Sequence, residues 1–464
     1  MDEERLGEGA DHLALALGCA WSDDRGWELL TKLTELPHRM GGSPGERRAA
    51  DLVGEAFIDA GLTDVQQAEF SMQHWERGTT EFAVLDTVGG DGESESGRPF
   101  EAIALPYAPA GDVQGPLVDV GYGTPAELED IDLQGKIAVA STTTPSGQRF
   151  VHRMEKFGHA VAAGADAFIF ANHIPGQLPP TGALKFDAEA AMPGVGVSAE
   201  THGWLREYAD RGARARVRVD ASTEPGSSQN VHGTLGPDTD EEVLVVAHYD
   251  AHDTSEGALD NGCGIATVAG ASAILAELEA DLECRVRVAG VGCEEIGLLG
   301  ADALADELDL ESIRAVINVD GAGRFRTLRA YSHGSTAIEA MAEEVTDAAG
   351  QPVSHEPDPH PFSDHWPFLR EGVPALQLHS EPPEGAERGR GWGHTAADTR
   401  DKVDPRNLRE HAMLTALLVR DATRRQFPRR DEGDLREQLQ SQSYEPGMRA
   451  ADIWPRSWDD LSET

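Results

Sequence analysis

From about residue 225 onward, short apolar-rich runs recur, and helical patterns fill most of the gaps between them. The runs are VLVVA (243–247), RVRVAGVG (285–292), AVINVD (315–320), LRAYS (328–332) and ALQLHS (375–380). Helical spacing of apolar residues fills 262–279, 297–307, 335–349, 363–371 and 405–424. Strand–helix alternation of this kind has few solutions. A parallel pair needs a crossover, and the crossover helices cover both faces of the sheet. The expected fold is therefore α/β, with a mixed, mainly parallel sheet flanked by helices.

Charge narrows the partners. The 464 residues carry 82 acidic and 39 basic side chains, a net charge of −43. Nucleic acid is excluded as a partner, because phosphate binding needs clustered Lys and Arg. Only Lys32, Lys136, Lys156, Lys185 and Lys402 are lysines, which leaves 34 arginines. Acid-rich, lysine-poor surfaces resemble those of proteins from salt-loving organisms, where salt screens the self-repulsion of the fold. The expectation is a halophilic, acidic-proteome protein in a high-salt cytoplasm. No window approaches the ~18–20 continuous apolar residues of a membrane helix. The start, MDEERLGEGADHLALALGCAW, is acidic where a secretory signal would be basic. No membrane partner is expected, and homo-oligomerisation is left open. Cys19, Cys263, Cys284 and Cys293 form no C-x-x-C pair and read as small buried apolar side chains.

The first half is organised differently. Leu29, Leu30, Leu33 and Leu36 mark a helix over 24–36, and Ala49, Leu52, Val53, Ala56 and Phe57 another over 45–60. Between them, residues 39–45 (ArgMetGlyGlySerProGly) match the G-x-S-x-G of a serine-hydrolase elbow. That elbow needs a strand before it. Here a helix precedes, and Ser43-Pro44 reads as an N-cap followed by proline at the first helical position. Short alternating strands surround GGDGESESG within 80–107. From about 112 the pattern becomes a compact α/β module. Its segments LVDVGYGTPAELEDIDLQGKIAV, AGADAFIFAN and MPGVGVSAE resemble the protease-associated (PA) domain, a module inserted in several peptidases. The boundaries read as a discontinuous domain of 1–110 and 225–425, an insert of 111–224, and an acidic tail of 426–464. The tail is polar, with Trp454 and Trp458 as candidate docking groups.

Ligand-type residues gather where the strands end. In open α/β sheets the binding crevice lies at the carboxyl ends of the strands. Strand 243–247 ends in His248-Tyr249-Asp250, strand 285–292 in Cys293-Glu294-Glu295, and strand 315–320 in Asp320. Asp260 precedes the helix that starts near 262, and a late loop holds Gly393-His394-Thr395. Each has a bland reading alone: a helix cap, a surface histidine, a solvated acidic pair. Together their chemistry suits zinc, which takes histidine nitrogen and carboxylate oxygen. Two adjacent metals need a shared ligand, a role open to Asp260. Asp250, two residues past His248, suits the role of holding the imidazole tautomer.

The ordered set HYD (248–250), ALDNGCG (258–264), EEIGLLGA (294–301), NVD (318–320), SDHWPF (363–368) and GHTAADTRDKVD (393–404) resembles the di-zinc exopeptidases, which include aminopeptidases of the yeast vacuolar type and glutamate carboxypeptidase. The resemblance covers most of the chain up to about 425. It implies two Zn²⁺ per chain, with Co²⁺ or Mn²⁺ able to substitute. His248 and Asp320 would hold one ion, Glu295 and His394 the other, and Asp260 would bridge. It implies that Glu294 is the general base and that peptides are the substrates. Asp364 and His365 match a pocket-lining position, where His365 could contact substrate, support the ligands from behind or serve the structure alone; Asp398 could orient His394 through the loop or cap the turn. Some members place a tyrosine just before the last histidine; Trp392-Gly393 stands here instead. His252, four residues after His248, could be a helical ligand, but the preceding buried strand argues for a turning backbone.

An aminopeptidase is the leading reading. A carboxypeptidase would need a carboxylate clamp, which Arg388 and Arg390 could form. A glutaminyl cyclase would use one zinc and lacks the insert. A binding protein on a dead peptidase scaffold would have lost ligands, and all five are present.

Overall fold

The computed structural model describes residues 2–85, 97–129, 131–385 and 392–460. The chain forms two compact units. The first comprises Met1–Ser71, Ser227–Gly393 and Asp398–Gln438; the second comprises Met72–Gly226, His394–Ala397 and Leu439–Thr464. The chain passes from one to the other within the long strands Thr63–Leu85 and Arg214–Leu235. The insert expected at 111–224 is thus part of a larger grouping that begins at Met72, because the latter half of Thr63–Leu85 and its partner Gly97–Phe100 belong to it.

In the first unit the strand order is Val353–Glu356, Leu328–Tyr331, Ala375–Ser380, Ile313–Val319, Glu242–His248, Arg285–Val291 and the end of Arg214–Leu235. The four pairs at its centre and edge are parallel: Val353–Glu356 with Leu328–Tyr331, and the consecutive run from Ala375–Ser380 to Arg285–Val291. Leu328–Tyr331 against Ala375–Ser380, and Arg285–Val291 against Arg214–Leu235, are antiparallel. The sheet is therefore mixed and mainly parallel, as the alternation requires.

Strand Glu242–His248 is buried at all seven positions, which explains its nearly unbroken apolar run. Val243, Val245 and Ala247 share a core with Leu29, Leu33, Val53 and Phe57 from the two early helices, and with Ile265, Val268, Leu414 and Leu418 from two later ones. Caps fix the helix starts. Ser43 Oγ accepts from Glu46 N at the head of Pro44–Asp59, so the serine of the elbow-like sequence is a cap. Asp404 caps Pro405–Ala422 in the same way, and Gly350 ends Thr336–Ala349 with φ 64°. Among the described residues one helical stretch, Ala258–Glu277, is long and apolar enough to cross a bilayer. It is alanine- and glycine-rich and 94% buried inside the fold, which marks a core helix.

The second unit holds a parallel run of Gly111–Asp119, Ile137–Ser141, Ala167–Ala171 and Gly194–Val197, with helices Arg153–Ala162 and Ala199–Asp210. The tail joins it. Trp454 and Trp458 are buried and meet edge to face at 5.0 Å. Cys263, Cys284 and Cys293 are buried, but Cys19 is exposed on the first helix.

Candidate metal centre

Strand register sets the site. Val291 pairs with His248, and Asn318 with Val246, so three neighbouring parallel strands deliver His248, Glu294–Glu295 and Asp320 to one end of the sheet. His248 is fully buried. Its Nδ1 donates to Asp250 Oδ1 at 3.2 Å. Asp250 also accepts from the backbone N–H of Glu294 (3.1 Å) and of Glu295 (3.2 Å). One carboxylate thus fixes a tautomer and the loop bearing both glutamates.

The other face of the imidazole meets only acceptors. His248 Nε2 lies 3.5 Å from Asp260 Oδ1 and 3.9 Å from both Glu294 Oε2 and Asp320 Oδ1. These distances are too long for good hydrogen bonds, and Nε2 and Asp320 Oδ1 are buried without a hydrogen-bond partner. Ligand atoms of His248, Asp260 and Asp320 all lie within 4.8 Å of one another. Burial alone would push the imidazolium of His248 down, yet Glu294, Asp250 and Asp260 carry it well above its usual range. Burial raises Glu294 well above the usual carboxylate range; Asp364, Glu295 and Asp320 add to this, and His248 opposes it. A cation among these groups would satisfy both orphaned atoms and relieve the crowding of negative charge. The residues therefore fit a divalent metal of the zinc type.

Supporting bonds hold the carboxylates. Asp320 Oδ2 accepts from Ser363 Oγ (2.9 Å), which accepts from Asn318 Nδ2 (2.7 Å), and the Asp320 carbonyl accepts from His379 Nδ1 (2.6 Å). Asn261 fastens the neighbour of Asp260 to the next strand: its Nδ2 donates to Val319 O, and its Oδ1 accepts from Gly264 N and Gly321 N. Asp398 accepts from the N–H of Leu259 (2.6 Å) and of Asp260 (3.1 Å), and burial raises it to about 7. These bonds steer Asp260. His394 itself falls in the four-residue segment that groups with the second unit, where its carbonyl accepts from Thr181 N (2.9 Å).

Other expectations change. His365 is fully buried. Asn318 Nδ2 donates to its Nδ1 (3.2 Å), and its Nε2 donates to His360 O (2.8 Å), so both nitrogens are engaged inside the protein. It props Asn318 and Ser363 behind Asp320 and presents no face to a substrate. Asp364 is likewise fully buried, with both carboxylate oxygens lacking hydrogen-bond partners and its proton held tightly by burial. The motif SDH lies buried, because Trp366, Phe368 and Leu369 draw the segment into the core. His252 lies on a turning backbone, yet its Nε2 is 3.0 Å from Glu295 Oε2. A turn brings to Glu295 what a helix would not have. Trp392 packs with Leu30, Ala258, Leu259 and Val403, with Lys402 over its ring at 5.3 Å. Arg388 and Arg390 lie outside the described residues.

Two supports escaped the sequence. Asn261 was within a quoted motif without a role, and Arg39 stood beside a glycine turn. Their partners are backbone groups up to 218 residues away, which no spacing encodes.

Residues 230–419 match the model of Peptidase family M28, and residues 113–204 match the PA domain. Aminopeptidase YwaD of Bacillus subtilis (strain 168) is 26% identical over 413 residues, covering 86% of this chain and 85% of its own length. Carboxypeptidase Q of Mus musculus is 22% identical over 418 residues, covering 85% of each. The solved structure of BSAP, a zinc aminopeptidase from Bacillus subtilis, matches with a TM-score of 0.68 at 23% identity, over 85% of this chain and 94% of that one, a likeness of fold. The M28 match spans the strand ends that carry the buried histidine and carboxylates, the PA match spans the parallel strands of the second unit, and over those residues the chain is similar to peptidase family M28 with a PA domain.

Proposed function

We propose that the protein is a zinc-dependent exopeptidase, an aminopeptidase acting on the terminal peptide bond of peptides. The observation that carries this is the trio His248, Asp260 and Asp320, with two buried donor atoms left without partners and Glu294 beside them. In this reading His248 and Asp320 would hold one zinc, Glu295 and His394 would hold a second, and Asp260 would serve both. His394 enters on its place in GHTAADT. His252, beside Glu295, supports that carboxylate. When bound, the metal supplies Lewis acidity that polarises a carbonyl and acidifies water.

The chain's own residues do the rest. Asp250 keeps His248 in the tautomer whose Nε2 is free to bind a cation. Asp250 also holds the Glu294 and Glu295 amides, so the two adjacent carboxylates diverge from a fixed stem. Glu294 takes the proton of the attacking water and returns it to the departing amine, a task suited to a carboxylate whose proton affinity burial and its acidic neighbours raise. The similarity to YwaD supports an aminopeptidase. The similarity to carboxypeptidase Q favours a second reading, cleavage at the carboxyl end. The acidic, lysine-poor composition supports work in high salt.

The test compares an aminoacyl anilide with an amino-blocked dipeptide in molar salt, before and after chelation. Hydrolysis of the anilide alone, lost on chelation and restored by zinc or cobalt, is the expected result. Activity that survives chelation would overturn the metal reading, and preference for the blocked dipeptide would move the specificity to the other end.

A further inference from the structure

The buried cation Arg39 belongs to no part of the mechanism above. It stands 2% exposed at the head of the ArgMetGlyGlySerPro turn, in the first unit. Burial lowers its pKa to about 10, so it stays charged at neutral pH, and Asp398, Asp250 and Glu295 favour that charge. Its bonds go to backbone carbonyls. Nε donates to Tyr249 O (2.8 Å), Nη1 to Glu256 O (2.6 Å) and Leu33 O (3.2 Å), and Nη2 to Gly257 O (2.8 Å). Its own carbonyl accepts from Ala251 N (3.1 Å). Three of these carbonyls and that amide belong to residues 249–257, the loop that joins His248 to Asp260.

The loop has no regular structure to hold it. It is closed at its far end by Gly257, at φ 58°, where a Cβ would fall 2.2 Å from Ala251 Cβ and 2.9 Å from Arg39 Nη2. Gly257 O accepts from Gly262 N as well as from Arg39, so the same carbonyl ties the loop to the start of the helix behind Asp260. A planar fork with five donors can bind several carbonyls in fixed directions, and an ammonium cannot. We infer that Arg39 is a positioning residue of the metal centre: its guanidinium, bonded to Tyr249, Glu256 and Gly257, sets the spacing between His248 and Asp260. This rests on the metal reading of those residues.

The test uses the full chain as wild type, Arg39→Lys and Arg39→Met. Co²⁺-loaded protein is read by its visible absorption, zinc affinity by competition with a chromophoric chelator, and metal-free folding by thermal melting. The expected result is that both variants melt cooperatively without metal, that the cobalt bands shift and weaken, and that zinc binds about ten- to a hundredfold more weakly. Gly257→Ala, which pushes on the same loop from the other side, should shift the cobalt bands too. Folded variants with the wild-type cobalt spectrum and zinc affinity would overturn the inference. So would failure of both variants to fold, which would make Arg39 a residue of stability alone. A wild type that takes up neither ion removes the metal reading, and this inference with it.

Discussion

Both units are built on a buried parallel sheet, yet their strand ends are used in opposite ways. In the second unit the polar residues past the strands are spent locally. Asp119 accepts from Gly121 N and pairs with Arg206. Asn172 donates to Leu178 O, and Ser198 caps Ala199–Asp210. Its buried charges are matched as well: Glu155 meets Arg149 and His159, and Lys156 Nζ donates to Ser141 O at 2.7 Å. In the first unit, His248 Nε2 and Asp320 Oδ1 are buried without partners, and Glu294 crowds them. An unpaired buried polar atom costs about 1–3 kcal/mol. A fold that retains two side by side holds them for something that arrives later, whereas satisfied charges report architecture.

The largest effect should come from the residue that has no architectural duty. Glu294→Gln is expected to keep its metal and to lose turnover by about 10²–10⁴-fold, measured as kcat together with bound zinc. Wild-type kcat in that variant would remove Glu294 from the chemistry. Next comes metal removal. With free zinc a thousandfold above Kd, binding stabilises the folded form by about 4 kcal/mol. Hydrogen exchange should show chelation loosening strands 242–248 and 313–319 while leaving 137–141 and 167–171 as they were. Equal loosening in both units would erase the contrast drawn above.

Smaller still is Glu155→Gln in the second unit, expected to cost about 2 kcal/mol of stability with turnover unchanged, by calorimetry and kinetics. Burial works against its ionisation, but hydrogen bonds from Arg149 and His159 bring it down to about 2. Its folded pKa is therefore depressed, so its contribution is present above about pH 4.5 and is lost as pH falls toward 2. Glu46 runs the other way. Burial lifts it to about 8, with Asp250 adding to the shift. Between the unfolded value of 4.5 and 8 the folded chain keeps a proton that the unfolded chain has released, so stability declines as pH rises through that window. Melting curves of Glu46→Gln should lack that slope, at most about 1.4 kcal/mol per pH unit.

The sheet of the first unit was legible because periodicity speaks where a strand is buried on both faces. Helices at 25–34, 44–59, 263–277 and 405–422 follow the apolar spacing closely. Strand Val353–Glu356 was not legible, since all four positions are half-buried and no apolar run marks them. The helix Asp2–Trp21 and the tail helices gave equally little signal. At the site, His248, Asp260, Glu295 and Asp320 announced themselves as ligand types at strand ends. Arg39 and Asn261 did not, because each serves carbonyls and amides that are distant in the chain and carry no residue identity. For His365 the sequence leaves substrate contact and support from behind both open, because a motif states which residues are present but not which way they face.

The stretch from Tyr249 to Asp260 is gripped by Arg39 from one side and by Asp398 from the other. The earlier grip is synthesised long before the stretch, the later one long after. Until residues 394–398 clear the ribosome the nascent polypeptide lacks both the last proposed ligand, His394, and the final clasp, so zinc captured before then would meet an unfinished cradle. For the same reason, a fragment cut to residues 230–419 would carry every ligand proposed above and still be missing the arginine that spaces the first two.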